Sequence, residues 1–484
     1  MAKIHDITGL RAVHALVEAG VEIRSVVHDS RDVSAGSMYA CLRGEHFDGH
    51  AFADDAVRAG ATAVLADHEL DLSAVVGAEI PQIVVDDTRV RLGPIAAEIA
   101  GRPSRALATV GITGTNGKTT TAALLASIFE AAGQPCGVVG TLQGERTTPE
   151  APELQSVLRE FVDTGRTAAV LEVSSHALAM HRVDGTEFDA VVFTNLGHDH
   201  LDLHGSQEEY FRAKARLFTP SFARLGVVNI DDTYGRLLAD TVQSTGSDGE
   251  FRVVTFGLTE VSDVEVTAAT HRYTWRGRQV EVPLGGDFNV ANSLAALTTA
   301  VELGIDPDVA VTGVATLATV PGRFEVIATD ESRRRGITVV VDYAHTPDGL
   351  ARVLDAARSV VSGDGSLTVV FGCGGNRDRG KRPEMGAVAS RGADRVVITS
   401  DNPRGESPQM ILDEILGGIE RGSHSEVVVL IDRREAIAEA VASAGRGDVV
   451  VIAGKGHETT QEFDDRTVEF DDRAVARELL ETTS

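Results

Sequence analysis

Cysteine, positive charge and long apolar runs are all scarce in this chain. Three cysteines in 484 residues, Cys41, Cys136 and Cys373, are too few and too scattered for a disulfide framework or a zinc knuckle. They read as free thiols in a reducing compartment. No apolar run approaches the ~18–20 residues that span a bilayer. The opening MAKIHDITGL lacks a basic stretch followed by an apolar core, so no secretory leader is expected. Lys+Arg 45 against Asp+Glu 72 leaves a formal net charge of -27. A surface that acidic repels nucleic acid and anionic lipid, which excludes both as partners of the whole surface. A soluble cytoplasmic protein is the expectation. Any phosphate-bearing ligand must be held by a local cluster of cations and backbone N–H groups.

Hydrophobic residues make up 43% and charged residues 24%, the balance of a globular protein. At ~150 residues per domain the length suggests about three domains. Short β-branched runs recur at 168–173 (AAVLEV), 190–194 (AVVFT), 225–230 (LGVVNI), 367–371 (LTVVF), 395–399 (RVVIT) and 449–453 (VVVIA). Near-continuous apolar strands of this length suit parallel sheets covered on both faces. Amphipathic stretches such as 119–132 and 347–360 lie between them, so the expected class is α/β, doubly wound more than once. Turn residues at 101–104 (GRPS) and 320–323 (VPGR) place domains at 1–104, 105–323 and 324–484. Residues 252–282, with Tyr273 and Trp275, are expected as an antiparallel edge or sub-sheet, and 473–484 as a closing helix with a frayed end. Almost every apolar strand runs into a loop rich in Gly, Asn, Asp or His. In open α/β sheets such loops converge outside the carboxyl ends of the strands.

The most informative stretch is 108–121, ATVGITGTNGKTTT, continuing into AALLASIFEAAG. Strand, glycine-rich turn, Gly-Lys-Thr and helix are the context of a phosphate loop. Backbone N–H groups from Gly114, Thr115, Asn116 and Gly117 to Lys118 can cradle a triphosphate at the helix N-terminus. Lys118 reaches the β/γ-phosphates and the Thr119 hydroxyl can ligate Mg2+. The strict Gly-x4-Gly-Lys spacing is not met, because Ile112 stands where the first glycine belongs. ATP is the expected nucleotide.

Strand 190–194 empties into NLGHDHLDLHG, which sets His198, Asp199, His200, Asp202 and His204 in one loop. The run reads either as the ligand set of a metallohydrolase or as one or two Mg2+ ligands beside a triphosphate. Glu172 could be the carboxylate partner in the second case, which the phosphate loop favours.

In order, GTNGKTTT, EVSSHAL, TNLGHDHLDLHG and YFRAKARLF resemble the Mur ligase family. GDFNVAN, VPGRFE, DYAHTPDGL, GCGGNRDRGKRP, DNPRGESP and GKGHE narrow the likeness to the branch that lengthens UDP-N-acetylmuramoyl-L-alanyl-D-glutamate by a third amino acid. The N-terminal VVHDSRDVSAGSMYACLRGEHFDGHAF looks like that branch's uridine-nucleotide domain, so the resemblance covers nearly the whole chain. It implies a three-domain architecture, with a central phosphate-loop sheet and a Rossmann-like C-terminal domain, acting as a monomer. It also implies an ATP- and Mg2+-dependent ligase in peptidoglycan precursor synthesis. In that reaction a carboxylate is phosphorylated, an amine attacks the acyl phosphate, and phosphate leaves.

By matching motif, Lys214 corresponds to a lysine the family modifies to a carbamate, and Glu172 and His200 to metal positions, which join Thr119 of the phosphate loop. Ser30 matches a uridine-nucleotide contact. Thr147, Thr148, Ser174 and Arg182 match contacts to the muramoyl dipeptide. Asn289, Asn292 and Thr120, with Arg323, look like ATP contacts, and Asp342, Tyr343 and His345 fall beside them. Arg377, Asp401, Asn402, Pro403, Arg404, Gly454 and Glu458 match contacts to the incoming amine. Arg404 is a planar fork suited to a carboxylate, which meso-diaminopimelate carries at its far end and L-lysine lacks. Two departures stand out: Met180 replaces a glutamine seen in some relatives, and the turn before Thr147 lacks a frequent asparagine. L-Lysine or another amine, and a non-catalytic ATP-binding relative, are the alternatives.

Overall fold

Runs of Val, Ile and Ala make strands buried on both faces, and three sheets built from them follow one another along the chain. The computed structural model describes residues 4–5, 10–44, 47–72, 75, 80–197, 204–245, 251–420, 422 and 424–482. The first sheet is parallel, in the order Ile4–His5, Gln82–Val84, Ala63–Ala66, Ser37–Ala40, Ser25–Val27. The second is also parallel, in the order Arg252–Phe256, Ala223–Asn229, Phe188–Phe193, Ala108–Thr113, Ala168–Glu172, Cys136–Val139. The third runs Glu325–Val326, Thr338–Asp342, Val449–Ala453, Leu367–Phe371, Arg395–Ile398, Glu426–Val429, with only the Glu325–Val326 edge antiparallel.

Burial follows the two-residue period of a strand. In Ala168–Glu172, Ala168 and Val170 join the core on one face, and Ala169 and Leu171 the core on the other. The doubly wound α/β reading therefore holds. The expected helices are present as Lys118–Ala131, Pro347–Arg358 and Asp472–Thr482. All three cysteines are free and buried. Among the described residues no helix is long and apolar enough to cross a membrane.

The 252–282 expectation needs dividing. Arg252–Phe256 extends the parallel central sheet, because its VVTF run pairs in register with Ala223–Asn229. Only Val261–Val266, His271–Trp275 and Arg278–Val282 form the antiparallel sub-sheet. Its inner face presents His271, Tyr273, Trp275, Val280 and Val282, all buried, while Arg272 and Glu281 face outward. Tyr273 and Trp275 share a core with Val290 and Leu294 of the helix Phe288–Glu302, worth roughly 2–3 kcal/mol for each ring.

Two switches in strand order matter for function. Strand Ala108–Thr113 lies between Ala168–Glu172 and Phe188–Phe193, so the chain winds away from it in both directions. In the third sheet the late strand Val449–Ala453 inserts between Thr338–Asp342 and Leu367–Phe371. A crevice opens at the carboxyl end of each such place.

His271 anchors the sub-sheet to the Phe288–Glu302 helix. Its Nδ1 lies 2.6 Å from Leu284 O and its Nε2 3.0 Å from Ser293 Oγ, and the Tyr273 hydroxyl lies 2.8 Å from the same Ser293 oxygen. Burial pushes the imidazole down to about 4. The folded ring therefore stays neutral while the unfolded chain takes up a proton near its ordinary value, so the unfolded state binds more protons. Stability is expected to fall as pH drops from about 6.5 to about 4, by on the order of 3 kcal/mol from this group. His271→Gln should lower the melting temperature at pH 7.5 and flatten its decline between pH 6.5 and 4.5. An unchanged slope would assign the acid sensitivity elsewhere.

Candidate active site

The turn after strand Ala108–Thr113 is built for close approach. Gly114 has φ +151, and a Cβ there would fall 1.9 Å from Thr194 Oγ1. Gly117 has φ +89, and a Cβ there would fall 2.3 Å from Asn292 Oδ1. Helix Lys118–Ala131 starts at once, aiming its free N–H groups into the crevice. The turn is stapled to the loop after Phe188–Phe193. Thr115 N donates to Asn195 O (2.9 Å), Asn116 N to Asn195 Oδ1 (3.0 Å) and Thr194 Oγ1 to Asn116 O (2.6 Å). Gly197 N donates to Thr115 Oγ1 (2.9 Å), which lies 3.0 Å from the Tyr210 hydroxyl.

Two ammonium groups converge on this turn. Lys118 Nζ donates to Gly114 O (2.9 Å) and Thr115 O (3.0 Å). Lys214 Nζ, from helix Gln207–Ala215, donates to the same Gly114 O at 2.9 Å and lies 4.7 Å from the centre of the Tyr210 ring. Lys214 is 1% exposed. Like charges gathered on one carbonyl make a place for an anion.

Glu172 closes strand Ala168–Glu172 and is 1% exposed. Its oxygens accept from Thr119 Oγ1 (2.9 Å), Thr141 N (2.9 Å) and Thr141 Oγ1 (3.1 Å). Thr141 Oγ1 lies 3.0 Å from Thr147 Oγ1, and Thr148 Oγ1 donates to Glu172 O at 2.8 Å. Ser174 caps the short helix Ser175–Ala179, which ends at Met180, and its N donates to Thr148 Oγ1 (3.1 Å). Arg182 pairs with Glu150 at 2.8 Å and donates to Thr148 O at 3.3 Å. Thr148, Ser174 and Arg182 are thus linked to one another and to the Glu172 backbone, while Thr147 reaches the Glu172 carboxylate through Thr141. Ser30 stands apart in the first sheet's layer, opening the short helical turn Ser30–Asp32.

Of the histidine-rich run, His198, Asp199, His200 and Asp202 lie outside the described residues. His204 Nε2 lies 3.0 Å from Ser175 Oγ.

The segment before the third sheet reaches back. Arg323 Nη2 donates to Thr119 Oγ1 at 3.1 Å, and its guanidinium lies 4.5 Å from the centre of the Tyr343 ring. His345 and His457 pack on the same ring at 4.6 and 5.0 Å. Burial, then the charges of Arg323 and Arg473, pushes His457 down to about 4. It therefore adds no cation to the stack at neutral pH. Asp342 accepts from Phe324 N (2.7 Å) and Ala344 N (2.8 Å), and burial raises its carboxyl. Asn289 Nδ2 donates to Gly285 O (2.6 Å) and Asn292 Nδ2 to Asn289 Oδ1 (2.8 Å). A cavity of about 450 Å3 is lined by residues of both sheets, among them Lys118, Thr120, Glu172, Asn292, Arg323 and His345.

At the carboxyl end of the third sheet, Asp401, Asn402 and Pro403 are buried and Arg404 half-buried. Lys455 Nζ, fully buried, donates to Asn402 Oδ1 and Glu458 Oε2, both at 3.0 Å, and Asn402 Nδ2 donates to Glu458 Oε2 at 2.9 Å. A Cβ on Gly454 (φ +112) would fall 2.6 Å from Asp401 Oδ2. Arg377 is exposed on the neighbouring loop. That loop is held by Arg382, 0% exposed, which donates to Glu406 and Glu414 while Glu406 accepts from Asn376 N. Arg382 holds the Glu406 carboxyl down at about 2.

Sequence reasoning singled out neither Thr141 nor Tyr210, Arg382 or Lys455. Lys455 and Arg382 stand inside GKGHE and GKRP, so the motifs were the available signal. Thr141 had only its place just after strand Cys136–Val139.

The chain matches three domain families in succession: the Mur ligase family catalytic domain over 22–99, the Mur ligase middle domain over 112–300, and the Mur ligase glutamate ligase domain over 322–456. The chain belongs to the Mur ligase family. Among its relatives, the UDP-N-acetylmuramoyl-L-alanyl-D-glutamate--2,6-diaminopimelate ligase of Streptomyces coelicolor is 43% identical over 499 residues, covering 97% of this chain and 95% of that protein. A solved UDP-N-acetylmuramoyl-L-alanyl-D-glutamate--2,6-diaminopimelate ligase is 36% identical with a TM-score of 0.66, covering 95% of each chain. The MurF ligase of Thermotoga maritima, solved in complex with ADP, shares the fold at 20% identity, with a TM-score of 0.63 over 96% of this chain and 99% of that one.

Gly117→Ala is expected to cost about tenfold or more in affinity for a non-hydrolysable ATP analogue, because the added methyl meets Asn292 and φ is positive. Calorimetry reads this directly. Unaltered affinity would place the nucleotide elsewhere.

Proposed function

We propose that this chain is an ATP-dependent, ADP-forming ligase that joins meso-diaminopimelate to UDP-N-acetylmuramoyl-L-alanyl-D-glutamate in the cytoplasm. The observation that carries the reading is a single cleft. Lys118 of the phosphate turn, Thr147, Glu172 and Ser174 line it together with Arg323, which leads into the third sheet, and Tyr343 and His345, which follow its strand Thr338–Asp342. The likeness to named diaminopimelate ligases over nearly the full chain supports the same conclusion.

The residues divide the work. Backbone N–H groups of 114–118 and the Lys118 ammonium hold the triphosphate of ATP, and Arg323 and Asn292 close over it. Arg182, Thr147, Thr148 and Ser174 orient the dipeptide so that its D-glutamate carboxylate faces the γ-phosphate. A carboxylate oxygen attacks the γ-phosphorus, the bond from that phosphorus to ADP breaks, and Lys118 offsets charge on the phosphoryl oxygens during the transfer. The neutral amine nitrogen attacks the carbonyl carbon of the acyl phosphate, the C–O bond to phosphate breaks as the amide C–N bond forms, and the nitrogen's proton leaves with inorganic phosphate.

The donor set around Glu172 and Thr119 is carboxylate and hydroxyl, hard oxygens that fit Mg2+. Lys214 fits such a site only as a carbamate, since a buried ammonium repels a cation. When bound, Mg2+ supplies positive charge that reduces repulsion between carboxylate and triphosphate. Ser30 would contact the uridine end, and Glu458, whose Oε2 accepts from Lys455 and Asn402, would receive the distal ammonium of the amine. Arg404 takes the far carboxylate of diaminopimelate.

Mass spectrometry of the product formed from the muramoyl dipeptide, ATP and each amine tests the reading. Diaminopimelate should be incorporated in preference to L-lysine. Arg404→Met should lower kcat/KM for diaminopimelate about 100-fold, as loss of a charge-assisted bidentate pair does, with KM for ATP unchanged. Preferred incorporation of lysine would refute the assignment of the amine.

A further inference from the structure

The guanidinium of Arg404 is engaged on one side by the protein itself. Arg404 has φ +51, a backbone state that residues with a Cβ seldom adopt. It is kept there by the strand Thr460–Glu462: Arg404 N donates to Glu462 O (3.0 Å), and Arg404 and Phe463 form a parallel bridge. The neighbours are fixed by the same strand. Gln461 Nε2 donates to Asp401 O (2.7 Å) and Glu462 N to Asn402 Oδ1 (3.1 Å). The side chain follows the backbone. Arg404 Nε lies 2.7 Å from Glu462 Oε2, and Nη1 donates to Gly375 O at 3.1 Å.

A guanidinium can grip a carboxylate through its Nε/Nη2 side or through its Nη1/Nη2 end. Glu462 lies on the Nε edge and Gly375 O takes one Nη1 N–H, so a ligand carboxylate would be met by the remaining Nη1 N–H and Nη2. An arginine side chain has several freely rotating bonds, so a partner that fixes its plane in advance removes ordering that a ligand would otherwise have to impose. The partner's charge matters too. With Glu462 beside it, Arg404 belongs to a net neutral pair, a better match for a zwitterionic amino-acid end than for a bare anion such as phosphate.

We propose that Glu462 is the positioning residue that presents Arg404 to the far carboxylate of the amine substrate, and thereby sets selection for diaminopimelate over lysine. The inference rests on the assignment of Arg404 made above. Glu462 acts through Arg404 and touches no reacting atom.

The test is steady-state kinetics of wild type, Glu462→Ala, Glu462→Gln, Arg404→Met and the Arg404→Met/Glu462→Ala double variant, with diaminopimelate and with L-lysine at saturating ATP and dipeptide. Glu462→Ala should raise KM for diaminopimelate about tenfold while kcat stays within about twofold. Glu462→Gln keeps an oxygen for Arg404 Nε and should recover most of the loss. KM for ATP and kcat/KM for lysine should stay within about twofold of wild type, and Glu462→Ala should add nothing in the Arg404→Met background. A general disturbance of the loop would instead depress both amines and persist in that background, which overturns the proposal. So does an unchanged KM for diaminopimelate in Glu462→Ala when the wild type uses that amine. A wild type that does not use diaminopimelate overturns the functional reading, and this inference with it.

Discussion

A carboxylate and a triphosphate have to meet before an amide can form between them and an amine, and each repels the other. The rest of this molecule makes that encounter tolerable. The difficulty is greater here than in a neutral protein, because the chain carries a formal charge of -27. Its cations are therefore spent selectively. Only five lysines stand against forty arginines; Lys118 and Lys381 open helices, Lys214 lies within helix Gln207–Ala215, and Lys455 follows strand Val449–Ala453. Arginine supplies rigid forks that tie loops together, as Arg382 does with Glu406 and Glu414. Lys118 is a compact ammonium held by the carbonyls of its own turn, Gly114 O and Thr115 O.

Holding those charges in place falls to groups with no chemistry of their own. The phosphate turn is fixed by Thr194, Asn195 and Tyr210, and Glu172 by Thr119 and Thr141. The third sheet is coupled to the second through Arg323, which touches Thr119 and stacks on Tyr343 beside His457. Burial keeps His457 neutral, so the stack gathers no second positive charge near neutral pH. Under the third sheet, Arg433 and Asp472, both buried, form an ion pair, and Arg433 also donates to Ser400 O and Ala453 O, bracing the ends of two strands that lead into loops 401–404 and 454–458.

Much of this was legible in the sequence, for identifiable reasons. Near-continuous apolar strands fix the fold class because only sheets covered on both faces can bury them. GTNGKTTT is readable because a phosphate turn needs consecutive residues. The omissions share a cause as well. In NLGHDHLDLHG the histidines and aspartates draw the eye, and nothing local marks Asn195 and Gly197 as braces for the phosphate turn some eighty positions earlier. Thr141 holds a carboxylate 31 residues away, and Glu462 holds an arginine from another loop. Contacts between distant segments leave no periodicity, and single polar residues in loops look alike until the fold assembles them. Residues 252–256 joined the parallel sheet because an open edge with a matching apolar run was available, which local pattern does not reveal.

The claim on which the account depends is that Lys118 lets the two anions react. Replacing it with alanine while following amide product and phosphate release in a single turnover, with circular dichroism confirming the fold, tests this most directly. The account predicts a fall in rate of about a thousandfold, the scale on which such charge stabilisation acts. Amide formation at the wild-type rate by the folded variant would contradict it.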